Sequence, residues 1–121
     1  MSIRIDLFPY RGNRSSLFTG RTQGEDARKK INIDQFDEGD DTVVFVIPKN
    51  TTSINPSFYL GLLYKSIKKH GIDDFEKKFQ FEIEEKDNHN IIKVLQDNLA
   101  DGRRNAINIM NNNSSFKRFL E

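Results

Sequence analysis

A chain of 121 residues, 36% hydrophobic and 31% charged, suffices for one small domain with one core. Its formal net charge of +1 supports neither a strong nucleic-acid field nor a polybasic membrane anchor. Cysteine is absent, which excludes disulfides, thiolate catalysis and cysteine-ligated metal sites.

The opening MSIRIDLFPYRG has no apolar run of signal-peptide length, and no other stretch is long and apolar enough for a bilayer. A cytoplasmic setting is the expectation. Ile3, Ile5 and Leu7 alternate with Arg4 and Asp6, which predicts a first strand ending near Pro9. Tyr10 to Arg14 reads as a turn, and Leu17-Phe18 as a short second strand beside the first. Thr22 and Glu25 have capping-box spacing, so a helix is expected from about Gln23 to Ile33. In it Ala27 and Ile31 face the core, while Arg28, Lys29 and Lys30 face water. Gly24 near its start either permits close packing or leaves room for a ligand. The acid-rich stretch Asp34 to Asp41 reads as a solvated connection.

Val43 to Ile47 is the most apolar run, of strand length, and suits a central strand covered on both faces. Pro48 ends it. Asn55 is placed to cap the next helix, with Pro56 at its first position and Gly71 beyond its end. This helix, Pro56 to about His70, is apolar over most of its circumference, and Gly61 in its interior implies a close approach of backbone or partner. Gly71 to Lys78 returns the chain to a half-buried strand with Phe79, Phe81 and Ile83 on one side. Asp87 or Asn88 can cap a third helix, which Asp101-Gly102 is expected to break. Ala106 to Met110 reads as a final short strand. Residues 111–121 read as an asparagine- and serine-rich polar connection followed by a helical tail, in which Phe116, Phe119 and Leu120 form a docking stripe. The whole, 1–121, is read as a single α/β domain, a compact mixed sheet packed with helices.

Two stretches, FTGRTQGEDARKKI and DTVVFVIPKNTTSINPSFYLGLLYKSIKKHGIDDFEKKFQFEI, resemble the STAS-like domain-of-unknown-function family. The resemblance covers Phe18 to Ile107, with Asp97 to Ile107 matching a later helix boundary. Arg21 and Gly24 match that family's first motif. The chain departs from it at Phe45 to Pro48, where an aspartate-phenylalanine pair commonly opens the strand, and at Lys49-Asn50. The family is distantly similar to anti-sigma-factor antagonists, sheet-and-helix modules used for protein contacts. The resemblance implies a non-enzymatic regulatory module that meets a kinase-like partner through a loop and helix opening. The corresponding surface here is Thr51, Thr52, Ser53, Asn55, Ser57 and Phe58, with Ser53 and Ser57 as positions for a regulatory phosphate.

Physical chemistry supports both a sharp and a bland reading of those residues. A phosphate near a helix N-terminus is favoured by free amides and the helix dipole. The same hydroxyls and amide can simply close the loop and cap the helix. Arg21 beside Gly24 can hold a carboxylate or phosphate in its fork, or bond to carbonyls within the fold. No cofactor or metal is called for: His70 and His89 lack metal-ligand spacing, and the acid runs read as solvated surface. Two alternatives stand beside the interaction module. Arg103, Arg104, Lys117 and Arg118 would have to converge to bind nucleic acid. Of Tyr59, Leu62, Leu63, Tyr64 and Ile67, some could form a symmetric homodimer interface while the others remain in the core.

Overall fold

The computed structural model describes residues 2–11 and 15–120, with side chains through residue 112. In chain order the elements are β1 (Ser2–Asp6), a 3-10 turn (Phe8–Tyr10), β2 (Leu17–Phe18), α1 (Arg21–Ile31), α2 (Ile33–Glu38), β3 (Thr42–Ile47), β4 (Ser53–Ile54), α3 (Pro56–His70), α4 (Ile72–Lys78), β5 (Phe79–Ile83) and α5 (His89–Leu120). β1, β3 and β5 form one sheet in that order, β2 and β4 a second, and every pair is parallel. The expected α/β domain is thus present, with the Val43–Ile47 run at its centre. No helix among the described residues is long and apolar enough to cross a membrane.

Parallel neighbours need long crossovers, here α1–α2 between β1 and β3, and α3–α4 between β3 and β5. Two right-handed crossovers that add strands in one direction put their helices on one face. Ile5, Phe45 and Phe81 share a register across the sheet and point to that face. There the Phe45 ring lies 5.6 Å from Phe81, and Phe81 in turn 5.9 Å from Tyr59 on α3. Among the described residues no helix packs on the opposite face, so the central strand is paired on both edges but covered on one side, not two. Val46 on that bare face is nevertheless buried. Arg4 of β1 and Glu82 of β5 bond through two pairs of atoms, and their side chains must cross β3 to meet. The Arg4 hydrogen bond holds the Glu82 carboxyl below its usual range.

The helices stand close because of two glycines. A Cβ on Gly24 of α1 would overlap the Phe58 carbonyl oxygen and lie 2.9 Å from the Leu62 nitrogen; one on Gly61 of α3 would overlap the Arg21 carbonyl and lie 2.9 Å from the Glu25 nitrogen. Backbone therefore meets backbone at this crossing, and α1 and α3 run side by side in the same direction. Of the two readings of Gly24, close packing holds. Leu62, Leu63 and Ile67 are fully enclosed beneath, and Tyr59 is 5% exposed. Four of the five residues named for a homodimer are thus core, and Tyr64 is half-buried.

Several local expectations are corrected. β2 pairs with β4, not with β1. Helix α1 begins at Arg21, and Thr22 does not cap it; Gln23 Oε1 instead accepts from the Thr19 amide at 2.8 Å and from its hydroxyl. Arg28 is buried rather than wet, and the acid stretch after it folds into α2 with Asp37 buried. The return after Gly71 is helical. Asp101-Gly102 does not break α5, and Ala106 to Met110 lies within that helix, as does the backbone of the asparagine tract. Gly102 faces the Tyr59 ring, where a Cβ would lie 2.5 Å from Tyr59 Cγ, so the residue read as a breaker is a contact point. The turn positions Gly12 to Arg14 and the side chains of Phe116, Phe119 and Leu120 fall outside the described residues. Asn55, in contrast, caps α3 as expected, accepting the Ser57 amide at 2.8 Å, and Asn88 accepts the Ile91 amide at the start of α5.

Gly24→Ala or Gly61→Ala should destabilise the fold by about 3 kcal/mol, since backbone cannot rotate aside as a side chain can. Urea unfolding should show a lower midpoint at unchanged slope; a change under about 0.5 kcal/mol would mean that the helices separate freely. A second check is alkaline. Burial pushes the Tyr59 phenol far above its ordinary range. A raised folded-state pKa contributes stability that is intact below about pH 10 and declines as pH rises beyond it. The Tyr59→Phe variant should therefore lose less stability above about pH 10 than the parent chain.

Candidate functional site

The carboxyl ends of β1 and β3 lead into two loops that zip together. Thr52 donates its amide to the Ser16 carbonyl at 2.8 Å, and Asn55 donates to the Phe18 carbonyl at 2.8 Å. The hydroxyls of Ser16 and Thr52 lie 3.0 Å apart. Alternation in β4 sends Ile54 inward, 3% exposed, and leaves Ser53 half-buried. Ile54 also donates its amide to Asn98 Oδ1 on α5, so the rim is tied to three elements.

Behind the loop, Arg11 is buried and donates to the Lys49 carbonyl at 3.0 Å and to Thr51 Oγ1 at 2.8 Å. Thr51 in turn donates a hydrogen bond from its hydroxyl to the Pro48 carbonyl at 2.8 Å. Thr51 is therefore an internal brace, and Phe58, 2% exposed and 4.9 Å from the Phe18 ring, is core. Neither meets a partner at the surface. Thr52, Asn55 and Arg21 are exposed, and Ser53 and Ser57 are half-buried. Ser57 precedes Gly61 by one helical turn, so it stands on the side of α3 turned toward the first turn of α1, where Arg21 opens. Of the residues singled out in the sequence, five share one rim; Gly24, Thr51 and Phe58 hold that rim from beneath.

The basic residues proposed for nucleic acid do not present free charge where described. Arg103 pairs with Glu76 at 3.0 Å and Arg104 with Asp101 at 2.8 Å. The side chains of Lys117 and Arg118 lie outside the described residues. Among the described residues, no cluster of three histidine or acidic side chains is arranged to hold a metal ion.

A buried polar cluster escaped the sequence reading. Arg28 donates to the Leu62 carbonyl at 2.9 Å, to Ser66 Oγ at 3.0 Å, and to both Asp34 and Asp37 at 2.8 Å. Asp37 also accepts from Ser66 at 3.0 Å, and His70 Nε2 lies 3.1 Å from its other oxygen. Arg28 keeps Asp34 below the ordinary carboxyl range. Serine, aspartate and histidine here do not make a nucleophilic triad. The carboxylate stands between the other two, and Ser66 is wholly enclosed. The cluster joins α1, α2 and α3. The one available signal was Arg28 beside Ala27 on the α1 face that meets α3, three residues before Ile31.

Asp37→Ala should cost about 3 kcal/mol, because it leaves the buried guanidinium with the solvent-exposed Asp34 as its one carboxylate and takes away the Ser66 acceptor. In a double-mutant cycle with Arg28→Met, the two losses should fall short of additivity by at least about 1 kcal/mol; additive losses would show that the pair is not coupled. Compared with protein-family models, curated proteins and solved structures, the chain finds no match.

Proposed function

We propose that the chain is a non-enzymatic, STAS-like protein-interaction module whose contact surface is the rim formed by Arg21, Thr52, Ser53, Asn55 and Ser57. The observation that supports this reading is the β2–β4 clamp. It fixes two crossover loops against each other and leaves the N-termini of α1 and α3 side by side at one end of the sheet. A surface held this way loses little freedom when it meets a partner. The partner implied by the resemblance is a regulatory protein of kinase-like type.

Ser57 is the better placed of the two regulatory serines. It lies in the first turn of α3 and faces the Arg21 end of α1, so an added phosphate there gains the positive end of the helix dipole and the nearby Arg21 charge. Ser53 sits opposite Leu17 within the strand clamp, farther along the chain from the helix amides.

The tagged chain is incubated with native-host lysate, in parallel with Ser57→Glu, Arg21→Ala and, as a surface control, Lys93→Ala, after each is shown to be folded. Retention of one protein by the parent and control chains, changed at least about fivefold by Ser57→Glu or Arg21→Ala, is the expected result. Equal retention by all four chains would place the contact elsewhere. Salt-sensitive recovery of nucleic acid without protein would replace this reading with nucleic-acid binding.

A further inference from the structure

The two outer strands of the main sheet differ in how their free edges are protected. Leu7 donates its amide to Val46, so in β1 it is Ser2, Arg4 and Asp6 that turn their backbone groups outward, and Arg4 and Asp6 bring charge to that edge. In β5 the phase is the opposite. Glu84 donates to Ile47, and the two-residue alternation leaves Phe81 and Ile83 with N–H and C=O directed away from β3. Among the described residues no strand pairs with that edge. The side chains of Phe81 and Ile83 are half-buried and apolar. An edge of this kind, without lysine, proline or bulge, is a template for another strand.

The edge also has a wall. A hollow of about 350 Å³ lies between β5 and α5 against Tyr59, Phe75 and Phe81, with the Glu76–Arg103 ion pair among its lining. A second, about 380 Å³, continues along Phe81 and Ile83 on the strand side and Ile92 and Gln96 on α5. Phe81 and Leu99 line both, so the two hollows adjoin along the strand. A strand edge, an apolar floor and a facing helix together fit an extended peptide that binds by adding a strand.

We propose that the β5–α5 groove binds an extended segment of a partner protein, running antiparallel to β5, basic at its amino end and acidic at its carboxyl end. The charges flanking β5 select that order. Lys77 and Lys78 precede the strand, and Glu84 and Glu85 outnumber Lys86 directly after it, so the start of β5 is net basic and its end net acidic. An antiparallel segment brings its first residues to Glu85 and its last to Lys77, and its alternate apolar side chains enter the groove. A second copy of the chain carries the same charge order, but a two-fold pairing of β5 edges would bring its own α5 over the same strip of sheet. A bare peptide has no such helix. This surface is separate from the rim of the proposed interaction site.

The test uses the full chain, labelled for amide hydrogen exchange, with the synthetic peptide Lys-Lys-Val-Thr-Val-Thr-Val-Glu-Glu as probe and a counterpart whose terminal lysines and glutamates are exchanged. In the free chain the Phe81 and Ile83 amides should exchange at least about tenfold faster than Glu82, which bonds to β3. The probe should protect both, and the exchanged peptide should bind about tenfold more weakly. Gln96→Trp fills the groove from an exposed position and should weaken the probe without lowering stability. Arg21→Ala, in the other surface, should leave it unchanged. No protection at a probe concentration of about 1 mM overturns the proposal. Protection that appears without probe, rising with chain concentration as the mass doubles, overturns it in favour of a second copy.

Discussion

The contact of Gly24 with Gly61 sets the spacing of the helix layer. Because neither residue has a Cβ, the backbone of α1 rests on that of α3. Each helix follows its own strand and loop, so closing the helices also brings the two loops into reach. The Thr52–Ser16 and Asn55–Phe18 bonds are the result. The rim that carries Arg21 and Ser57 is therefore a consequence of helix packing at a distance, and a substitution at Gly24 would move the surface without touching it.

Close helices leave little room for large side chains between them, and the Arg28 cluster shows how the next turn is filled. One helical turn beyond Gly24, Arg28 reaches the Leu62 carbonyl and Ser66 instead of an apolar neighbour. Burying a guanidinium is costly unless its charge is matched. Asp37, delivered by α2, supplies the match. A buried ion pair adds little net stability over apolar residues of the same volume. Its effect here is positional, fixing α2 against the pair of long helices.

The strand–loop–helix unit from Thr42 to His70 was legible because each signal was local: a continuous apolar run, an Asn-Pro helix opening and a terminal glycine. Arg28 was not, because its partners lie 34 to 38 residues away on α3 as well as on α2, and a charged residue among lysines reads as solvated. The α5 helix was misread for a different reason. Leu95, Leu99, Gly102 and Ala106 keep the four-three-four spacing of one helical face, but a glycine after an aspartate carries a local turn signal that masks its place on that face. Tyr59 overrides its propensity by packing where only hydrogen fits. At the rim, sequence gave the exposed polar residues and could not separate them from Thr51 and Phe58, which differ only in what lies behind them.

The sheet itself shows how the same pattern of alternation protects one edge and exposes the other. In β1 the residues with outward backbone are polar, two of the three charged, and in β5 they are apolar, although both strands alternate with period two. The difference is one of phase relative to β3. In β1 the helix-facing residues, Ile3 and Ile5, are those bonded to β3; in β5 the helix-facing residues, Phe81 and Ile83, are those that are not. Shifting β5 by one residue would turn Gln80 and Glu82 outward, but it would also withdraw Phe81 from Phe45 and Tyr59. The aromatic core thus holds β5 in the register that leaves its edge apolar, and α5, drawn to Tyr59 through Gly102, stands beside that edge without pairing to it.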